Sequence, residues 1–351
     1  MDAALARLRD RIRAAGAARS PVRLRGAGTK DFYGEKLAGE ILDVREYRGI
    51  VAYEPTELVI TARCGTPLSE IESALAAHGQ CLAFEPPRLG GDPTIGGVIA
   101  AGLSGPRRAS AGAARDFVLG ATLLDTRGEL LHFGGRVMKN VAGFDVSRLL
   151  CGSLGIFGLI ADVSIKVLPR PAREATLRFD MDGARANEQF NRWSAQPLPI
   201  SATAWHDGRA YLRLSGAASA VRAATASLGG EELDDASAAS WWASVRDQTL
   251  SVFDMSRLWR LSVPSTARLD LPGTALIEWA GALRWLVSDA PADQIRGVAA
   301  RVGGSAALWR GVRDTSMFHP LDAASLVLHR RLKAQFDPEG IFNPGRLIEG
   351  L

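Results

Sequence analysis

Pro93, Thr94, Ile95, Gly96 and Gly97 open a stretch that runs through Gly102 and Ser104 to Gly105 and holds four glycines in thirteen residues. With no side chains at Gly96 and Gly97, another group can press against the main chain there, and the amides can turn toward an anion. Val98 to Ala101 is apolar and tolerant of helix. The loop therefore reads as opening a short helix, whose first N–H groups add positive field at the same place. Arg107, Arg108 and Arg115 follow closely. Alone, such a run is either a tight structural turn or a phosphate-type cradle, and its surroundings must decide.

The same pattern recurs on either side. Val22–Leu24 reads as a strand running into Arg25, Gly26, Ala27, Gly28, Thr29 and Lys30. Downstream, Lys139–Asp145 leads to a short helix through Leu149 and Leu150, then to Gly152, Ser153, Leu154 and Gly155, then to a strand over Leu159–Leu168. Between these turns the pattern predicts strands at Ile50–Tyr53, Leu58–Arg63 and Cys81–Phe84. It also predicts a helix capped by Thr66 with Pro67 at its first position, and a hairpin of Phe117–Asp125 with Leu130–Phe133. Pro169-Arg170-Pro171 breaks the chain, and glycine gives way to tryptophan beyond it, which marks a domain boundary. The following region alternates strands and helices, with a hairpin turning at Asp207-Gly208, and reads as an antiparallel sheet with helices on one side. A helix over Leu321–Phe336 stops at Asp337-Pro338 and is followed by an irregular, proline-fixed tail. No repeat of fixed period stands out.

Composition excludes several classes of function. A net charge of +4 from 42 basic and 38 acidic residues is no nucleic-acid footprint. Cys64, Cys81 and Cys151 are far apart in apolar segments, so they read as reduced core thiols that build neither an iron–sulfur cluster nor a zinc site. The five histidines, His78, His132, His206, His319 and His329, lack ligand spacing, so no metal site is expected. The N-terminal segment is an arginine-rich amphipathic helix rather than a signal or spanning segment, which predicts a cytoplasmic protein.

The order of these pieces is more specific than any one of them. Arg25–Lys30, Pro93–Gly97, Arg115-Asp116, Lys139–Asp145, Gly152–Gly155, Phe336-Asp337-Pro338 and Asn343-Pro344-Gly345 resemble the FAD-binding oxidoreductases of the vanillyl-alcohol oxidase type, whose FAD domain is also called PCMH-type. Within them the chain is similar to the smaller, E-type flavin subunits of bacterial glycolate oxidases. The resemblance implies an α+β fold with a two-part FAD-binding domain over residues 1–171, a cap domain with an antiparallel sheet over 172–311, and a C-terminal segment, 312–351, returning to the flavin. It implies that Arg25–Lys30 and Pro93–Gly97 cradle the pyrophosphate. Gly102, Ser104, Gly105, Arg115, Asp116, and Gly152 to Ile156 would line the ADP and flavin sides, with Ile160 close to the adenine and Asn343 reaching the flavin ring edge. Tight turns and core packing are the alternative for these last residues.

Two departures from the family pattern matter. Thr29 stands where many relatives carry a histidine bonded to the flavin, so the FAD should be non-covalent. The histidine-rich metal motif of the larger, catalytic subunits is missing. For oxidation of a small 2-hydroxyacid, Arg310 and Arg313 with His319 are the local candidates for cation and base, against the alternative of surface arginines and a loop histidine. The resemblance implies a complex with a larger FAD subunit and an iron–sulfur subunit, at most peripheral to the inner membrane. A self-sufficient glycolate or D-lactate dehydrogenase is the other reading.

Overall fold

A computed structural model describes residues 2–135 and 145–351. These fall into two compact units, the first built from Met1–Leu103, Ala113–Pro169 and Pro320–Leu351, the second from Ser104–Gly112 and Arg170–His319.

In the first unit β1 (Val22–Arg25) pairs in parallel with β2 (Glu40–Asp43). Strands β3 (Ile50–Glu54) and β4 (Val59–Arg63) follow, and β5 (Gln80–Cys81) makes a two-residue ribbon with β9 (Leu168–Pro169). Together with β6 (Val118–Leu124), β7 (Leu130–Gly134) and β8 (Leu159–Lys166), β3 and β4 form an antiparallel sheet in the order β3-β4-β8-β6-β7. β8 lies in the middle because its Leu, Ile and Val side chains are buried along nearly its whole length. Helix Ala3–Ala18 presents Leu5, Leu8 and Ile12 at helical spacing to a core shared with Leu42, Tyr47, Leu124, Leu159, Ile341 and Phe342. Asp2 caps that helix, accepting from the amides of Ala4 and Leu5.

Two local expectations are corrected. Thr66 does not cap the next helix, which runs Leu68–Ala76 with Pro67 in the cap position. The Thr66 hydroxyl is engaged elsewhere, accepting from Gly49 N at 2.9 Å and donating to Arg63 O at 2.7 Å. The strand expected over Cys81–Phe84 shrinks to β5, because Leu82–Phe84 turns inward and Phe84 packs on Phe117 with ring centroids 5.5 Å apart.

The second unit is organised around an eight-stranded sheet. Its strands are β10 (Arg173–Asp180), β11 (Ile200–His206), β12 (Arg209–Gly216), β13 (Glu231–Glu232), β14 (Leu258–Ser262), β15 (Thr274–Glu278), β16 (Leu283–Val287) and β17 (Ser305–Arg310). The order β13-β10-β12-β11-β15-β16-β14-β17 reads fourth, first, third, second in one half and second, third, first, fourth in the other. The unit is thus a duplicated four-strand module, although the sequence shows no repeat. Helices Gly183–Ser194 and Ala218–Leu228 cross over in the first half. The second half keeps only Ala292–Arg301, and an irregular run joins β14 to β15 where the other half has its first helix.

The helix Asp235–Asp247 and strand β16 were not anticipated. The helix is rich in Ala and Ser without an apolar stripe, yet its tryptophans hold it: Trp241 stacks on Tyr211 at 3.8 Å, and Trp242 Nε1 donates to Thr176 Oγ1 at 2.9 Å. Residues 104–112 are tied into this unit by Trp279, whose Nε1 donates to Gly105 O at 3.0 Å and whose ring lies 4.6 Å from the Arg108 guanidinium.

Candidate functional site

The first unit contains a cleft walled on one side by Arg25–Asp31 and on another by Pro93, Thr94, Gly96 and Gly97. The glycines explain how two chain segments approach so closely. A Cβ on Gly26 would sit 2.1 Å from Thr94 Oγ1, and one on Gly96 would sit 2.6 Å from Cys64 Cβ. These two are therefore required by the packing of the walls. Gly97 differs: apart from its own helix, a Cβ there meets only Thr94 Oγ1, at 3.4 Å. The space in front of Gly97 is cleft, not protein. Thr94 caps helix Ile95–Ala101 with its hydroxyl toward Gly97 N, and Ile95 is fully buried beneath the loop.

The far end of the same helix is held by the third glycine turn. Gly152 N donates to Ile99 O at 3.0 Å and Leu154 N to Ala100 O at 2.8 Å, while Gly102 packs with its Cβ direction 2.9 Å from Gly152 Cα. Ser153 braces the turn through Leu150 O. Leu154, Gly155 and Ile160 line the cleft, whereas Gly102, Gly152, Ser153 and the buried Ile156 support it from behind.

Two basic residues that sequence reasoning passed over fix the remaining wall. Arg346, only 6% exposed, donates to the carbonyls of Lys30, Asp31, Tyr33 and Glu35, and so gathers the loop after Gly28 around one guanidinium. Lys333 is equally buried and donates to Ile156 O and Phe342 O, each at 2.7 Å, and to Asp337. Burial holds the Lys333 pKa below its ordinary value, and Asp337 offsets only part of that. Asp337 in turn accepts from the amides of Ile341 and Phe342. The lysine and aspartate stand four apart at the end of helix Ala323–Phe336, and that spacing before a proline was the available signal.

Asn343 lines the cleft with its amide already engaged, accepting from Leu24 N at 2.8 Å and donating to Leu154 O at 2.6 Å. It joins β1 to the third glycine turn. Among the described residues Asp31 is the one acidic side chain in the lining, and it is paired with Arg23 and Arg25. Cys64, at the back of the cleft, is held as a thiol because burial raises its pKa far above the usual range. A cleft with exposed amides, an excess of basic residues and open space before Gly97 suits a dinucleotide carrying a diphosphate.

Other expected site residues lie elsewhere. Asp116 accepts from Ala113 N at 2.8 Å and, with Arg115, forms a short helix whose residues are not in the cleft wall. Ser104 and Gly105 belong to the second unit. Lys139–Phe144 lies outside the described residues. Arg310, Arg313 and His319 do not converge. His319 Nδ1 accepts from Ala306 N near the start of β17, while Arg310 ends that strand, about 13 Å further on at the usual strand rise. Arg313 is exposed. Burial, then the charge of Arg296, lowers the His319 pKa.

Residues 4–134 match a family described as FAD binding domain. The chain is 47% identical over 335 residues to glycolate oxidase subunit GlcE of Escherichia coli (strain K12), covering 95% of this chain and 94% of that protein. It belongs to the GlcE family. FAD is accordingly its cofactor, and the chain is an FAD-binding oxidoreductase subunit with the PCMH-type domain. Glycolate oxidase subunit GlcD of Bacillus subtilis (strain 168) is 30% identical over 45% of this chain and 34% of its own length. Among solved structures, alkyldihydroxyacetonephosphate synthase aligns with a TM-score of 0.65 at 13% identity, over 97% of this chain and 75% of that one. A variant of Phl p 4, a glucose dehydrogenase, aligns with a TM-score of 0.63 at 13% identity, over 99% and 89%. Both share the mixed helix and antiparallel-sheet fold.

Proposed function

We propose that this chain is the smaller, FAD-carrying subunit of a complex that oxidises glycolate to glyoxylate, with a larger FAD subunit doing the hydroxyacid chemistry and an iron–sulfur subunit taking the electrons. The carrying observation is the near full-length identity to GlcE, 47% over 95% of the chain. When bound, FAD supplies a two-electron acceptor. Toward it, Arg25–Lys30 and Thr94–Gly97 would hold the diphosphate through main-chain N–H groups, Ile160 would flank the adenine side, and Leu154 and Gly155 the flavin side. Thr29 offers no imidazole for a covalent link, so these contacts alone would retain the cofactor. Gly102, Gly152, Ser153, Ile156 and Asn343 would keep the walls in register.

Substrate handling is assigned to the larger subunit because a base and a carboxylate-binding cation must stand within reach of one small molecule. His319 and Arg310 are separated along β17 instead. Among the described residues no helix is long and apolar enough to cross a membrane. A cytoplasmic complex, at most peripheral to the inner membrane, accords with that.

The test is anaerobic reduction of the bound flavin by glycolate, with the purified chain alone and then with its partner subunits. The chain alone should bleach at least about a hundredfold more slowly, the usual loss when an oriented charge and base are missing. Rapid bleaching of the isolated chain, abolished by His319→Ala or Arg310→Ala, would instead establish a self-sufficient dehydrogenase.

A further inference from the structure

A second cavity lies wholly within the second unit. It is an open cleft on the sheet face between helix Gly183–Ser194 and the segment 266–274, over β15 and β16. The duplication accounts for it. In the first half this layer is filled by the crossover helix between β10 and β11, and the second half has only the irregular run between β14 and β15.

Arg284 on β16 lines this cavity and is 7% exposed. Its Nε donates to Gly281 O at 3.0 Å and its Nη2 to Ala267 O at 2.6 Å. With the Asn187 amide oriented to satisfy both groups, Nη2 also donates to that side-chain oxygen at 3.3 Å. Among the described residues Nη1 has no hydrogen-bond partner, and it keeps some solvent access on a residue that lines the cavity. No carboxylate among those residues pairs with this guanidinium, and burial alone lowers its pKa. The acidic residue in the lining, Glu188, faces Arg268 at 3.7 Å. An arginine stays charged in a protein, and a buried cation without a counter-ion is costly. Trp205, Leu269, Leu271 and Ile277 give the cleft an apolar portion of wall, beside polar residues that include Asn191, Thr266 and Thr274.

We infer that this cleft binds a small organic carboxylate, which accepts from Arg284 Nη1 and lays an apolar body against Trp205, Leu269 and Ile277. Arg192 and Arg268 also line the cleft but are exposed, and Arg268 faces Glu188, so Arg284 is the one buried guanidinium in the lining among the described residues. A phosphate would call for several convergent cations, and this one beside Trp205 and Leu269 suits a monoanion with a hydrocarbon tail.

The test uses the full-length, FAD-loaded protein and hexanoate as the probe, with acetate and inorganic phosphate beside it, read by calorimetry. Hexanoate should saturate a single site and bind at least about tenfold more tightly than acetate, since several buried methylenes separate the two. Arg284→Gln should weaken it about tenfold or more. Because Arg284 also holds the carbonyls of Ala267 and Gly281, a second variant leaves it untouched: Ala184→Trp fills the cleft from the exposed side of helix Gly183–Ser194. That variant should melt at the parental temperature and lose hexanoate binding. Absence of saturable hexanoate binding, phosphate binding as tight as hexanoate, or unchanged affinity in the well-folded Ala184→Trp protein would each overturn the inference.

Discussion

Replacing Gly97 with valine separates the packing demands of the protein from those of its cofactor. Gly97 sits in the first turn of helix Ile95–Ala101 without a positive φ, so any L residue adopts its backbone. An added Cβ meets only Thr94 Oγ1, at the ordinary contact distance of 3.4 Å. The folded chain without FAD should therefore tolerate the change. Removing a glycine from a helix recovers up to about 1 kcal/mol of backbone entropy, and the β-branched side chain offsets part of that. The same side chain would stand where the diphosphate is proposed to lie. Losing two charge-assisted N–H contacts at about 1.5 kcal/mol or more each weakens binding by about 3 kcal/mol, more than a hundredfold in Kd. Titrating FAD into cofactor-free protein by flavin fluorescence measures this, and thermal melts of the cofactor-free variants check the fold. Gly96→Ala is the control: its Cβ would lie 2.6 Å from Cys64 Cβ, so overpacking should cost the cofactor-free fold about 1–3 kcal/mol. Parental FAD affinity in Gly97→Val, or a cofactor-free Gly97→Val protein as destabilised as Gly96→Ala, would refute the assignment of this loop.

Other expectations are as direct. Lys333→Met leaves Asp337 buried without its cation and should cost about 3–5 kcal/mol in urea unfolding, with Asp337→Asn added to it costing less than the sum of the two single changes. Acid precipitation should release all the flavin into the supernatant, since Thr29 cannot form a histidyl link; colour retained in the pellet would contradict this. His319 is held below its ordinary 6.5 by burial and Arg296, so the folded state resists a proton that the unfolded chain accepts. Its contribution is whole above about pH 6.5 and declines as the pH falls below that, and His319→Gln should flatten the melting temperature over that window.

Much of the architecture was legible because its signals are local. Gly26 and Gly28 after β1, and Gly96 and Gly97 opening a helix, marked Arg25–Lys30 and Pro93–Gly97, and residues of both stretches wall the same cleft. Hairpins declared themselves through turn residues, as at Asp207-Gly208, where β11 meets β12. What stayed hidden depends on distant partners. Lys333, Asp337 and Arg346 look like ordinary charged residues until the fold buries them against carbonyls contributed by other segments. Thr66 had the composition of a helix cap, yet Gly49, seventeen residues away, takes its hydroxyl. The duplicated sheet left no trace in sequence because strand order constrains burial and register, which many side chains satisfy equally well. Arg310 and His319 were the candidates because they lie where the chain was expected to return toward the flavin, and a strand carries the two apart.

The junction of β1 with Asn343 has a consequence for biosynthesis. Leu24 and Asn343 are 319 residues apart, and the hydrogen bond between them closes one wall of the cleft. Chains are made from the N-terminus at about 5–20 residues per second, so roughly sixteen seconds or more separate the emergence of these two residues. All of Arg170–His319 is synthesised within that interval and can fold first. The glycine loops meanwhile wait with their apolar neighbours uncovered, and the cleft they wall is incomplete. With FAD seated in this cleft as proposed, its capture is confined to the last moments of synthesis or later.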